Sequence, residues 1–222
     1  MLIYTLDEET ALLEACRVSR SRSLYPAVLI ALNTCMRYSE LRLLTWEQID
    51  LSSCTLPVGH SKTESGTVRL LPLNDPAAAI LPFWASLFPL REPSHFVFPA
   101  ERYGASGDGT TVVYDSDPTS PIGRWKEAWE SAKIRAGVLC RFHDLRHTGC
   151  TRMLEEGVPF SVVATIMGWS PSTTVRMARR YGHIGQTAQR HAVNALKGAD
   201  FEGDGAQNWA QSQKARTRQL AN

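Results

Sequence analysis

Residues 142–184 decide the fold, and they read FHDLRHTGCTRMLEEGVPFSVVATIMGWSPSTTVRMARRYGHI. This stretch predicts three short helices, and Gly157 and Gly168 end the first two. The expected helices span residues 144–156, 159–167 and 172–180. A last helix is expected near residues 186–197.

Helical patterns also precede this stretch. Thr5 and Glu8 have the spacing of a capping box at the start of a first helix. Asp75 is expected to cap a later helix with Pro76 at its first position, and Pro82 is expected to break or kink that helix. Further helices are predicted over residues 23–36, 37–51 and 122–137.

The middle of the chain has a residue pattern typical of strands and loops. Residues 54–73, CTLPVGHSKTESGTVRLLPL, predict a small antiparallel hairpin with its turn at residues 64–66. Residues 101–119 are rich in Gly, Asp, Ser and Thr and are expected to form a long loop. Mostly helices around a small antiparallel sheet make an α+β fold, not a βαβ one.

The length of 222 residues fits one sizeable domain with a small appendage. We expect a domain over residues 1–197 and a polar tail over residues 198–222, either mobile or docked on a neighbouring protomer through Phe201 and Trp209. No apolar run approaches the roughly 18 residues of a membrane span, and the start lacks a signal-peptide layout. Five scattered cysteines favour reduced thiols in the cytoplasm.

The net charge of +2 says little about nucleic acid, but the arginines are concentrated in two acid-poor segments. Residues 16–42 contain one acid, and residues 141–183 contain three. Together the two segments could form one basic face that binds phosphates, and separately they would be solvated helix faces. The arginines concerned are Arg17, Arg20, Arg22, Arg37 and Arg42, and Arg141, Arg146, Arg152, Arg176, Arg179 and Arg180.

Two histidines four residues apart raise the question of a metal site. A zinc hydrolase helix reads H-E-x-x-H, whereas Asp144 follows His143 here and Arg146 places a fixed cation beside His147. We therefore expect no metal. His143 and Arg146 share a helix side, so a proton-transfer group and a guanidinium clamp could serve one phosphate. Two polar surface residues would show the same spacing.

Tyr181 is a candidate nucleophile because it follows the pair Arg179 and Arg180. A phenol attacks poorly at its free pKa of about 10, and neighbouring cations would help it to ionise. A buried structural tyrosine would give the same pattern, so the residues alone leave both roles open.

Three motifs in this order resemble those of the tyrosine recombinases, the phage integrase family. Residues 32–51, LNTCMRYSELRLLTWEQIDL, look like the family's first arginine motif, and residues 60–73, HSKTESGTVRLLPL, look like its lysine hairpin. Residues 142–184 resemble the block with the second arginine and the nucleophile. The resemblance covers nearly everything from Leu6 to about Leu196. It implies a mostly helical catalytic domain with a small antiparallel three-stranded sheet, the DNA breaking–rejoining fold.

The resemblance also implies roles for individual residues. Arg37 and Arg146 would clamp the scissile phosphate, and Lys62 would protonate the leaving 5′-hydroxyl. His143 would accept the proton of the attacking phenol, and Tyr181 would form a 3′-phosphotyrosyl link. Phosphoryl transfer of this kind would need neither metal nor ATP nor another cofactor.

Other residues are expected to support these. Trp169 stands where most members of the family have a histidine, and it can donate one hydrogen bond but cannot shuttle a proton. Glu40 is expected to orient the first arginine, and His147 to hydrogen-bond nearby. Arg179 and Arg180 join Arg37, Lys62 and Arg146 as DNA-binding candidates.

The activity that the resemblance implies is site-specific DNA recombination or integration, as in mobile elements. A type IB topoisomerase-like or resolvase activity, a non-catalytic DNA-binding regulator and, distantly, a zinc hydrolase are the alternatives. Double-stranded DNA would be the partner, with a homotetramer on DNA and a monomer or weak oligomer without it, at the nucleoid in the cytoplasm. Members of the family usually carry an N-terminal DNA-gripping domain, so the chain is expected to be either a fragment or a stand-alone catalytic domain.

Overall fold

The computed structural model describes residues 4–59, 69–105, 111–181, 190 and 193–194. The chain divides into two compact units, Met1–Ile184 and Gly185–Asn222. In the second unit, the described residues 190, 193 and 194 are helical. The rest of the expected helix over 186–197 and the tail over 198–222 lie outside the described residues, so the domain boundaries stay a prediction.

Helices and two β-hairpins build the described part of the first unit. The helices are α1 (Leu6–Arg17), α2 (Leu24–Thr34), α3 (Tyr38–Arg42), a 3-10 turn (Trp46–Gln48), α4 (Asp75–Ser86), α5 (Lys126–Ala136), α6 (Phe142–Glu155), α7 (Phe160–Met167) and α8 (Pro171–Tyr181). The strands are β1 (Thr55–Val58), β2 (Arg69–Pro72), β3 (Pro99–Ala105) and β4 (Thr111–Pro121).

The first two helices confirm the sequence predictions. The Thr5 side chain accepts a hydrogen bond from the backbone N–H of Glu8 at 3.2 Å, and the Glu8 carboxylate accepts one from the N–H of Thr5 at 2.9 Å, which completes the capping box. α2 is largely buried, as its apolar sequence predicts. It ends at Cys35 in the left-handed conformation, with φ of 54°, and this turn leads the chain into α3.

α4 differs from the prediction in two ways. Asn74, rather than Asp75, is the N-cap residue, and its side chain accepts a hydrogen bond from the N–H of Ala77 at 3.3 Å. The helix also continues through Pro82 without a break. A proline removes one helical hydrogen bond. Trp84, two residues after Pro82, is buried against the core and keeps the helix in place.

The described strands form two separate two-stranded sheets, so the prediction of one three-stranded sheet is wrong. β1 and β2 pair antiparallel, with Thr55 opposite Pro72 and Val58 opposite Arg69. The chain enters α4 at Asp75, shortly after β2, and within the described ranges an isolated bridge between Asp50 and Thr55 is the addition to this pair of strands. The predicted turn at residues 64–66 lies outside the described residues.

Residues 101–105 and 111–119 do not form the predicted loop but belong to two paired antiparallel strands, and residues 106–110 lie outside the described residues. β3 and β4 pair from Pro99 opposite Pro121 to Ala105 opposite Thr111, with two register shifts. The polar composition suggested a loop because the segment has few apolar side chains that could be buried in a core. A two-stranded ribbon satisfies its backbone groups by pairing and does not need that apolar contribution.

Two groups of buried side chains organise the unit. The larger core surrounds α2 and includes the fully buried Phe98 and the almost fully buried Trp125. The smaller group joins the end of α2 to the three C-terminal helices; its buried members are Cys35, Cys150, Val163, Met167 and Tyr181. No helix among the described residues is long and apolar enough to cross a membrane.

Candidate active site

Arg37 is placed at the start of α3, two residues after the left-handed Cys35. Its backbone N–H and its Nη1 both donate to the Glu40 carboxylate, at 2.7 and 2.6 Å. Its Nη2 donates to the carbonyl oxygen of Gly168 at 2.7 Å. The Arg37 side chain is 38% exposed, so the guanidinium is fixed by the protein and still accessible to a ligand.

Arg146 is carried by α6 into the interior, where it is only 4% exposed. It donates to the carbonyl oxygens of Cys35 and Met167, which lie at the C-terminal ends of α2 and α7. Such carbonyls lack an intrahelical donor, so each supplies an acceptor that a buried guanidinium needs. Burial, and then the cations Arg37 and Arg69, lower the pKa of Arg146. An arginine starts from a pKa high enough to remain charged at neutral pH.

Arg69 on β2 reaches the same place, and the sequence reasoning did not single it out. Its Nη1 and Nη2 donate to the two oxygens of Glu40 at 2.9 and 2.7 Å, and its Nε donates to the carbonyl of Ile166 at 3.0 Å. One signal could have found it. Arg69 shares a strand face with Leu71 and Leu73, which are buried, and a charged residue on a buried face needs a partner.

Glu40 connects the two arginines. Burial raises the pKa of its carboxyl, but hydrogen bonds from Arg69 and Arg37 outweigh burial and lower that pKa to about 2. Glu40 is therefore ionised at neutral pH. One carboxylate among Arg37, Arg69 and Arg146 leaves the cluster with a surplus of positive charge, which suits an anionic ligand.

The C-terminal turn of α7 gathers the three guanidinium groups. Three successive backbone carbonyls each accept from a different arginine: Ile166 from Arg69, Met167 from Arg146 and Gly168 from Arg37. These carbonyls form the negative end of the helix, where cations are stabilised. Because Trp169 follows directly, the same turn also fixes the residue beside the candidate nucleophile.

Tyr181 ends α8 and is 2% exposed. Its hydroxyl lies 2.9 Å from Nδ1 of His147, and its ring stacks on Trp169 with centroids 6.4 Å apart. Burial and then the Cys150 thiol raise the pKa of Tyr181, and Arg180 is among the cations that oppose this. Burial, followed by neighbouring His143, lowers the pKa of His147 to about 4, so His147 is neutral at pH 7.

His143 lies one helical turn before His147, and the two rings meet edge to face with centroids 4.8 Å apart. His143 is exposed. Burial of part of its ring and then Arg146 lower its pKa, so it is also suited to accept a proton near neutral pH. The hydroxyl of Tyr181 contacts His147, which was predicted from the sequence to support the site by hydrogen bonding. The role of His143 stays a prediction.

The remaining candidates divide between the surface and the undescribed segments. Arg179 and Arg180 are exposed on α8. Lys62 lies outside the described residues, and in the sequence it falls between β1 and β2. Within the described ranges, no group of three His, Cys, Asp or Glu residues is arranged to hold a metal ion. All five cysteines are free.

Sequence comparisons place these residues in a known context. The model of the phage integrase family matches residues 3–187. The integrase of Salmonella phage P22 is 30% identical over 183 residues, covering 80% of this chain and 42% of that protein. A XerC-like tyrosine recombinase of Caldanaerobacter subterraneus subsp. tengcongensis is 27% identical over 217 residues, covering 87% of this chain and 53% of that protein. The chain thus spans about half the length of these relatives.

Structural comparisons give the same fold. The catalytic domain of bacteriophage HP1 integrase matches with a TM-score of 0.61 at 21% identity, over 87% of this chain and 94% of that one. The Tn1549 transposon integrase, in complex with circular intermediate DNA, matches with a TM-score of 0.63 at 21% identity, over 88% of this chain and 67% of that one. At this sequence identity the matches show the fold alone.

Proposed function

Because the chain belongs to the phage integrase family, we propose that it is the catalytic part of a site-specific DNA recombinase that acts through a 3′-phosphotyrosyl intermediate at Tyr181. One observation carries the proposal. The turn that binds Arg37 and Arg146 through its carbonyls continues into Trp169, whose ring stacks on Tyr181. Two fixed cations and a phenol therefore meet at one helix end.

In the proposed cleavage step, the Tyr181 oxygen attacks phosphorus and the bond from phosphorus to the 5′-oxygen breaks. The phenolic proton passes to His143, and Lys62 gives a proton to the leaving 5′-oxygen. Arg37 and Arg146 stabilise the charge on the non-bridging oxygens. The phosphotyrosyl ester keeps the energy of the broken phosphodiester, so a 5′-hydroxyl from another strand can reverse the step and complete an exchange.

His147 has a different proposed role. Its Nδ1 can accept the hydrogen bond of the neutral phenol because its own pKa lies well below neutrality. It therefore holds Tyr181 before DNA arrives, while His143 takes the proton during cleavage.

Positive charge from Arg37, Arg146 and Lys62 is proposed to replace the divalent metal that many phosphoryl-transfer enzymes use. The ester also conserves the bond energy, so ATP is not needed. We propose accordingly that strand transfer proceeds without metal, ATP or another cofactor.

Double-stranded DNA is the proposed partner, with the protein as a tetramer on DNA and a monomer or weak oligomer without it. The exposed Arg179 and Arg180 suit contacts to phosphates. The proposed location is the cytoplasm, on nucleoid DNA.

Covalent capture tests the proposal. The protein is incubated with a randomised pool of nicked duplexes in EDTA, and denaturation-stable protein–DNA adducts are isolated, sequenced and mapped by mass spectrometry. We expect an adduct at Tyr181 that survives chelation and is lost in Tyr181→Phe. An adduct that requires a divalent metal would contradict the proposed chemistry. Sequence-selective binding without any adduct would support a non-catalytic regulator instead.

A further inference from the structure

We infer that Arg69 is a positioning residue for strand cleavage: it holds Glu40 so that Glu40 directs the Arg37 guanidinium at the scissile phosphate. This inference rests on the proposed function and adds a residue to its machinery. It connects the second strand of the lysine hairpin to the phosphate clamp.

The contact between Arg69 and Glu40 is of the fork-to-fork type. Two nitrogens of Arg69 meet the two oxygens of Glu40, at 2.9 and 2.7 Å. The side chains are only 11% and 16% exposed. A bidentate pair shielded from water restricts the orientation of the carboxylate much more than a surface ion pair does.

Glu40 transmits this orientation to Arg37. The oxygen that receives Nη1 of Arg69 also receives Nη1 of Arg37, at 2.6 Å. The other oxygen receives Nη2 of Arg69 and the backbone N–H of Arg37. Each carboxylate oxygen is thus shared by both arginines, so a shift of Arg69 must move the group that fixes Arg37.

Arg69 also covers the α7 turn on which Arg37 rests. Its Nε donates to the carbonyl of Ile166. A Cβ atom built on Gly168 would lie 2.8 Å from Nη1 of Arg69, so the guanidinium packs directly over that glycine. The carbonyl of Gly168 is also an acceptor of Arg37. Arg69 therefore supports Arg37 at two of its acceptors, the Glu40 carboxylate and the Gly168 carbonyl.

The geometry assigns Arg69 a positioning role and not a place in the clamp. All three of its nitrogens donate to groups of the protein. Its side chain is 11% exposed, whereas that of Arg37 is 38% exposed. Removal of Arg69 is therefore expected to slow the chemical step while DNA binding is nearly kept.

Single-turnover adduct formation on a duplex selected by the covalent capture tests this. In Arg69→Ala we expect cleavage to slow by about 10- to 100-fold, the range for a misplaced catalytic group. Arg69→Lys, which keeps the charge but loses the fork, should recover part of the rate. DNA affinity, measured in the Tyr181→Phe background, should stay within about threefold.

Arg91→Ala is the matched control. Arg91 also donates to backbone carbonyls at a helix end, that of Ala85 in the last turn of α4 and that of Phe88 just after it, but it touches none of the arginine cluster. We expect Arg91→Ala to cleave DNA at the wild-type rate. Equal slowing in Arg91→Ala and Arg69→Ala would overturn the inference in favour of general destabilisation.

A double-mutant cycle tests the route through Glu40. If Arg69 acts through that carboxylate, Arg69→Ala should add little to the defect of Glu40→Gln, and the two effects should be strongly non-additive. Independent, multiplying effects would overturn the inference.

A duplex with sulfur in place of the leaving 5′-oxygen separates the clamp from the lysine. A thiolate leaves without a proton donor, so this duplex should restore cleavage by Lys62→Ala but not by Arg69→Ala. Restoration in Arg69→Ala would show that Arg69 acts on the leaving group and would overturn the inference. A wild-type protein that forms no adduct would instead contradict the proposed function itself.

Discussion

In the proposed reaction, the hydroxyl of Tyr181 is held in place before DNA binds and loses its proton during cleavage. The neutral ring of His147 can hold it at 2.9 Å. Burial raises the pKa of the phenol, so the protein without DNA keeps Tyr181 protonated. In the proposed cleavage, an approaching phosphate and a second base change that state, so the two histidines have separable proposed roles.

Substitution of each histidine should separate these roles. We expect His143→Ala to slow adduct formation by about 100-fold or more, as loss of a general base does, with little change in stability. His147→Ala should slow it less and should lower the free energy of unfolding by about 1 kcal/mol, because a half-buried hydrogen bond is lost. Single-turnover rates and urea unfolding measure the two effects. The reverse order of the rates would make His147 the proton acceptor.

His147 also predicts how stability depends on pH. Its pKa falls from an ordinary 6.5 to about 4 on folding, mainly through burial. Between these values the unfolded chain binds the proton and the folded protein does not, so stability falls as pH drops from 6.5 towards 4. His143 shifts in the same direction.

Urea unfolding at pH 7 and pH 5 checks this expectation. The free energy of unfolding should drop by roughly 1 kcal/mol for His147, after allowance for solvent screening at a half-buried ring. The free energy of unfolding should change less with pH in His147→Asn than in the wild type. An equal change in both proteins would contradict the lowered pKa of His147.

Site residues could be predicted from the sequence where they stand in a recognisable motif. Arg37, Arg146 and Tyr181 stand in motifs, and the structure brings all three to the end of α7. Arg69 was missed because an arginine in a hairpin is most often solvated, and its meaning depends on the fork with Glu40. Such a pairing joins residues far apart in the chain, so the strand pattern indicates only that Arg69 needs a partner and not which residue that partner is.

At the scale of elements, the C-terminal turn of α7 is the critical piece. Gly168 has φ of 55°, and a Cβ there would lie 2.8 Å from Arg69. Gly168→Ala should therefore cost about 1–2 kcal/mol of stability through backbone strain and should also displace the arginines. We expect slower adduct formation at a temperature where the variant is fully folded.

Gly157→Ala is the matched control for this prediction. Gly157 follows α6 with φ of 78°, and a Cβ there would meet nothing within 4 Å. The control should lose similar stability and cleave DNA normally. If both variants cleave at the same rate relative to wild type, the α7 turn has no special role in catalysis.

Elements were predictable where periodicity and caps agree. The capping box of α1 and the glycine ends of α6 and α7 follow from local chemistry, and the structure confirms them. The β3–β4 hairpin was not predictable, because its strands are polar and pair with each other instead of joining a core. The separation into two sheets depends on where each hairpin packs, which is a tertiary property.

For the whole molecule, the net charge of +2 conceals how the arginines are used. Some are neutralised inside the protein: Arg152 pairs with Glu9 at 2.5 Å. Others, such as Arg179 and Arg180, are exposed on α8. The distribution of charge, and not its sum, therefore predicts the strength of DNA binding.

The salt dependence of DNA binding tests this distribution. In the Tyr181→Phe background, the slope of log affinity against log salt should become shallower by about 0.9 for each phosphate contact removed, so Arg179→Ala and Arg180→Ala should each show it. Arg152→Ala should leave the slope unchanged, because Glu9 already neutralises that guanidinium. Fluorescence anisotropy over a potassium chloride series measures all three slopes. An unchanged slope in both α8 variants would place the DNA backbone on another face of the molecule.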